Sequence, residues 1–168
     1  MKRYRILGIC LCVVFLILCV SLFFNGKRKY QESVAFSVIE EGVELSHRPK
    51  GRELELFSTQ QRFKDFYTRM HLHTLPRPDA PHIDFTRSIV VFITLGEKRS
   101  TGFSIDVRSV HKWRKSLIVK AIPIPPPQES LQAQMITYPY TLILVPIKRV
   151  NRVEWVNEVW EILETKSL

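Results

Sequence analysis

Residues 89–96 read Ile-Val-Val-Phe-Ile-Thr-Leu-Gly, and the reading of this stretch decides the fold class. A continuous apolar run stopped by glycine is the pattern of a central, buried strand. Working outward, Phe103, Ile105 and Val107 alternate with Ser104, Asp106 and Arg108, which predicts a strand with one buried face. Upstream, Val34, Phe36 and Val38 alternate in the same way, as do Leu54 and Leu56 against Glu53 and Glu55. Ser116–Ile122 predicts a further strand, and Met135–Ile147 another, broken at Pro139. Only one stretch before residue 150 has helical spacing. Ser58 to Gln61 fits a capping box, and Phe63, Phe66, Tyr67 and Met70 follow at i, i+3, i+4 and i+7, ending before Pro76. Pro76, Pro78 and Pro81 mark a loop. The expected class is α+β, mainly antiparallel β with one inserted helix among about five to seven strands.

Two terminal segments differ from this pattern. Asn151 to Glu154 fits a helix start, and Val156, Val159, Trp160 and Leu163 then form one stripe, with Glu154, Glu158, Glu161 and Glu164 opposite. Residues 151–168 are therefore predicted to form a C-terminal amphipathic helix docked on the sheet, with presentation to a partner groove as the alternative. At the other end, Ile6–Phe24 is an apolar run of 19 residues, close to the length that spans a bilayer as a helix. It predicts an N-terminal transmembrane helix over residues 1–29, in contact with membrane lipid, ahead of a β-rich domain over 30–150. The exit Cys19-Val20-Ser21 is a poor cleavage site, so an uncleaved signal anchor is expected, with a secreted or lipid-anchored form after cleavage as the alternative. Three basic residues flank the run on each side, so charge does not orient it.

The formal charge of +9 looks suited to nucleic acid until it is partitioned. The first 30 residues hold six Lys/Arg and no acid, leaving 19 basic against 16 acidic residues, a net +3, for the rest. That excess, without a concentrated basic and aromatic face, argues against a nucleic-acid partner. Cys10, Cys12 and Cys19 all lie in the apolar run, so the domain beyond it has no disulfide and no thiolate metal site.

The block from Ile89 to Ile147 carries a more specific pattern. Leu95-Gly96 is followed by Arg99-Ser100-Thr101-Gly102-Phe103-Ser104-Ile105, a proline-rich stretch, Gln134, and Thr137-Tyr138-Pro139-Tyr140. With the Phe63 helix and the Asp84-Phe85 pair upstream, this resembles the PrcB C-terminal-like family over roughly Val34 to Lys148. The family is named after an accessory component of a bacterial surface serine-protease complex. The resemblance implies an exported domain that is not an enzyme, takes no cofactor, and binds a protein partner such as a protease. The location it implies is the extracytoplasmic side of the cell membrane, on a single-pass anchor. One departure is informative: where the family has two adjacent glycines before an aromatic, this chain has Thr101-Gly102 before Phe103. A β-branched residue resists positive φ, so the backbone there is expected to be altered.

The candidate contact residues are those the core explains least. The turn contributes Gly96, Arg99, Thr101, Gly102 and Phe103, and the stiff arm contributes Pro123, Ile124, Pro125, Pro126 and Pro127. Tyr138, Pro139 and Tyr140 complete the set, with Pro139 expected at an edge or bulge. Ile122–Pro127 is expected to lie outside any regular ladder, as a polyproline-like arm or edge. Other chemistry is poorly supported. His71, His73 and His82 lack supporting ligands for a metal and read as solvated side chains. There is no Gly-x-Ser-x-Gly elbow, no cysteine outside the apolar run and no phosphate-cradling loop. The sequence thus predicts an extracytoplasmic protein-binding accessory domain. The alternatives are a small ligand-binding or envelope-structural protein, and a hydrolase with a scattered catalytic site.

Overall fold

The computed structural model describes residues 32–129, 131–147 and 149–168. Its elements in chain order are β1 (Glu32–Val34), β2 (Ser37–Gly42), β3 (Glu53–Phe57), α1 (Gln60–Met70), β4 (Ile89–Thr94), β5 (Ser104–Trp113), β6 (Ser116–Ile124), β7 (Tyr140–Val145), β8 (Arg152–Val156) and β9 (Ile162–Ser167). They build a five-stranded sheet, β1-β5-β6-β8-β9, and a four-stranded sheet, β2-β7-β4-β3. Gln31–Leu168 make one compact unit.

The run at residue 89 is buried throughout because its two faces serve two cores. Ile89, Val91 and Ile93 join Leu117, Val119, Val153 and Trp155 of the other sheet. Val90 and Phe92 join Phe63, Phe66, Tyr67 and Met70 of the helix. The four-stranded sheet is thus the middle of three layers, and its alternate residues face the second sheet and the helix. Phe103 packs with the intersheet core and not with the helix.

Several expectations need correction. The stripe at the C-terminus is not a helix but the hairpin β8–β9. β8 lies parallel to β6, in register from Ser116↔Arg152 to Lys120↔Val156, and β9 returns antiparallel to β8. Here period 2 wins over period 3.6. Val153 and Trp155 point into the intersheet core, and the Trp155 indole donates to the Ala121 carbonyl at 2.7 Å. The hairpin is turned by Asn157, whose side-chain oxygen accepts from Val159 N at 3.1 Å and Glu161 N at 2.9 Å. The expected membrane-spanning helix over residues 1–29, and the lipid contact that it implied, lie outside the described residues. Among the described residues no helix is long and apolar enough to cross a membrane. Over the described residues the fold class is therefore mostly β with one short helix.

Smaller corrections follow from tertiary pairing. Val34 and Val38 belong to two different strands, and Phe36 to neither, since the chain passes between sheets at Ala35-Phe36. Pro123 and Ile124 are paired in β6, opposite Ile105 and Ser104, so they are not a free arm. Beyond Lys120, β6 has no β8 partner, and this one-sided stretch is where a strand accommodates proline. The strand expected over Met135–Ile147 is β7, which starts only at Tyr140 and lies in the interior of its sheet, so Pro139 stands just ahead of it and not at an edge or bulge. The helix is preceded by Thr59, which makes no side-chain cap; the Gln60 amide instead holds Pro81 O and Ile83 N at 3.1 and 3.0 Å.

A loop-built apolar groove

The predicted turn and the residues after the proline arm do converge, but they bond to one another first. Lys98 and Thr137 pair through both backbone groups at 2.8 Å, and the Thr137 hydroxyl donates to Ser100 O at 3.0 Å. Thr101 N donates to Ala133 O at 3.1 Å, and the Thr101 hydroxyl oxygen accepts from Ala133 N at 3.1 Å. Gly102 takes φ +91, and a Cβ there would lie 2.7 Å from Pro126 Cβ. Positive φ is thus required at Gly102, whereas Thr101 is not among the residues with positive φ. At the first position of the family's glycine pair, Thr101 supplies a hydroxyl tether to Ala133 N.

Gly96 is the second fixed point. Its φ is +69, and a Cβ would sit 2.3 Å from the Gly51 carbonyl oxygen. Beside it the Lys50 ammonium donates to the Glu97 carboxylate at 2.9 Å. That bond holds the Glu97 carboxyl below its usual range and raises the Lys50 ammonium above its own. Arg99 is exposed, and Lys98 Nζ lies 5.9 Å from the centroid of the Phe103 ring.

Tyr138, Pro139 and Tyr140 are buried, so they shape the surface from beneath. Tyr138 N donates to Val43 O at 2.7 Å, while Pro139 O accepts from Leu95 N and the Thr94 hydroxyl. Tyr140 OH and Tyr67 OH both donate to the Glu40 carboxylate, the latter at 2.7 Å. Burial and then the Glu40 hydrogen bond push both phenols upward, so they remain protonated donors. His71 Nε2 lies 3.1 Å from Glu40 Oε1, in ion-pair range but without hydrogen-bond geometry. His71 is therefore a buried member of this cluster and not a solvated side chain, whereas His73 lies apart at a groove. The cluster pins α1 to β2.

That groove, about 470 Å³, is what sequence reasoning missed. Its floor includes Leu45, Met70 and Tyr138, its apolar lips are Val43, Leu75, Met135 and Ile136, and Glu44, Arg48 and His73 supply charge or polarity. Leu75 is 91% exposed, Ile136 58% and Met135 48%. Large apolar side chains gathered at a surface mark an interaction site more than scattered ones do. The available signal was Leu75 inside a polar, proline-rich loop, and Met135-Ile136 in a stretch without clean alternation. A larger hollow of about 820 Å³ between α1, β3 and β9 is lined by charges that partly satisfy one another, such as Lys166 with Glu55 at 2.6 Å.

The structure defines a two-sheet β domain with one covering helix and a loop-built apolar groove. Within it, residues 89–146, a little over a third of the chain, match the family described as PrcB C-terminal. The resemblance read from the sequence is borne out over that segment. No curated protein and no solved structure matches the chain significantly.

Proposed function

We propose that this chain is a protein-binding accessory domain whose partner is a protease, held through the groove around Met135 and Ile136, and that it acts by contact without chemistry of its own. The observation that carries this reading is the position of the groove. Its Met135–Tyr138 side belongs to the segment that matches the PrcB C-terminal family, and that side is fastened to the Gly96–Phe103 turn by the Lys98–Thr137 pairing. A rigid loop layer with protruding apolar side chains loses little entropy on docking.

Ile136→Glu and Met135→Glu each introduce a charge at an exposed lip. Each is expected to lower capture of the protease partner by about tenfold or more, the effect of burying an unpaired charge at an interface, while melting temperature stays unchanged. Equal capture by both variants would place the contact elsewhere. We also place the domain outside the cytoplasm, on the strength of its family pattern and the apolar run behind a basic start. A reporter that matures only outside the cytoplasm, fused after Leu168, is expected to be active; activity of a cytoplasm-only reporter instead would reverse this placement.

A further inference from the structure

A second cleft opens where the two sheets part. β1 pairs with Val110–Lys112 of β5, and the chain then leaves for the other sheet as β2. Two strand edges are left facing each other across the gap. Among the described residues β2 pairs with β7 alone, and no strand pairs with Ser104–Ser109 on the side away from β6. Each strand carries a register shift at the gap, between Val38 and Glu40 in β2 and between Val107 and Ser109 in β5. Such bulges bend strands apart, which accounts for the opening.

The gap holds a cleft of about 380 Å³ lined by Val38, Glu41 and Thr141 from one sheet and by Ser104–Val107 and Ile124 from the other. Val38 pairs with Ile143, a core residue, and so belongs to the sandwich's inner face; yet it is 50% exposed. The interior of the sandwich thus reaches the surface along a seam bounded by unpaired backbone. The charged side chains lining it, Glu41 and Asp106, are both acidic. Asp106 is paired with Arg108 at 2.9 Å, whereas Glu41 is exposed.

We infer that this seam accepts an extended segment of a partner protein with an apolar and a basic residue two positions apart, added as a strand to the edge of β2. Unpaired edges supply main-chain hydrogen bonds to an extended chain and to no other backbone form. The bulge puts Val38 and Glu41 on the same, inner face of β2, since their partners Ile143 and Thr141 stand opposite the core residues Val91 and Ile93. One face of an added strand therefore meets both, an apolar side chain beside Val38 and a basic one two positions away beside Glu41. The seam is distinct from the Met135–Ile136 groove, so failure here leaves the proposed protease contact standing, and the reverse also holds.

The test uses the full chain and a capped peptide of about seven residues, a strand's length, in which Val and Lys take turns on one face and Thr fills the other. The peptide is expected to bind and to slow hydrogen exchange of amides in 37–42. Methylating one edge-facing peptide nitrogen is expected to weaken binding about fivefold, the loss of one net hydrogen bond. Glu41→Lys is expected to weaken the Lys peptide about fivefold and to favour a Glu–Val peptide, in line with a partly exposed ion pair. Absence of binding at millimolar peptide, indifference to methylation, or protection elsewhere would overturn the inference. So would a dimer of the chain that protects the same amides, because the seam would then be covered by a second copy.

Discussion

Phe66→Ala is expected to cost about 3–5 kcal/mol, the usual loss for truncating a buried phenylalanine, out of a total near 5–15 kcal/mol for a domain. The ring sits 4.8 Å from both Phe57 and Phe92, centroid to centroid, and it is the side chain through which α1 grips β3 and β4. Removing it opens a cavity between two layers that cannot close, because β4 is held on its other face by the second core. Urea denaturation should show a much lower midpoint with an unchanged slope. A midpoint equal to that of the parent would mean that the helix is peripheral and that the three-layer description is wrong.

Gly96→Ala is the second large effect, and it arises from backbone and not from burial. A left-handed conformation costs an alanine roughly 1–2 kcal/mol. The added Cβ also meets Gly51 backbone oxygen at 2.3 Å, so one of two loops must move. The Lys50–Glu97 bridge links those same loops. The expected outcome is a melting point lower by several degrees, with faster exchange of the Leu95 and Lys98 amides, which now bond to Pro139 O and Thr137 O. Gly51→Ala is the control, since nothing lies within 4 Å of a Cβ there; it is expected to leave stability close to that of the parent. Equal stability of Gly96→Ala and the parent would contradict the close approach.

These two residues show what a single sequence reveals. Phe63, Phe66, Tyr67 and Met70 announce a helix because four apolar residues fall on one face, and the uninterrupted run at Ile89 announces a strand covered on both sides. The C-terminal segment has both periods at once. Val156, Val159, Trp160 and Leu163 read as a helical stripe, whereas Val153 and Trp155 read as a strand. The choice is made by the open edge of β6, which lies far away in sequence. Pairing partners are not visible in local periodicity, and for the same reason the prolines after Ile122 suggest a free arm although Pro123 is paired with Ile105. The candidate groove was half legible. Glycines and prolines marked the loops that need special backbone, and the structure does join those loops. The apolar lips are a property of exposure, and exposure of Leu75, Met135 and Ile136 depends on what the rest of the chain leaves uncovered.

The central claim is that the groove beside the family-matching segment holds a protease partner. Site-specific photo-crosslinking tests it most directly, with a photoreactive side chain placed at Ile136 in one sample and at exposed Glu158 in another. The adduct formed from position 136, identified by mass spectrometry, is predicted to contain a protease, and position 158 is predicted to give none. A protease adduct from position 158 with none from 136, or no protease adduct from either, would contradict the account.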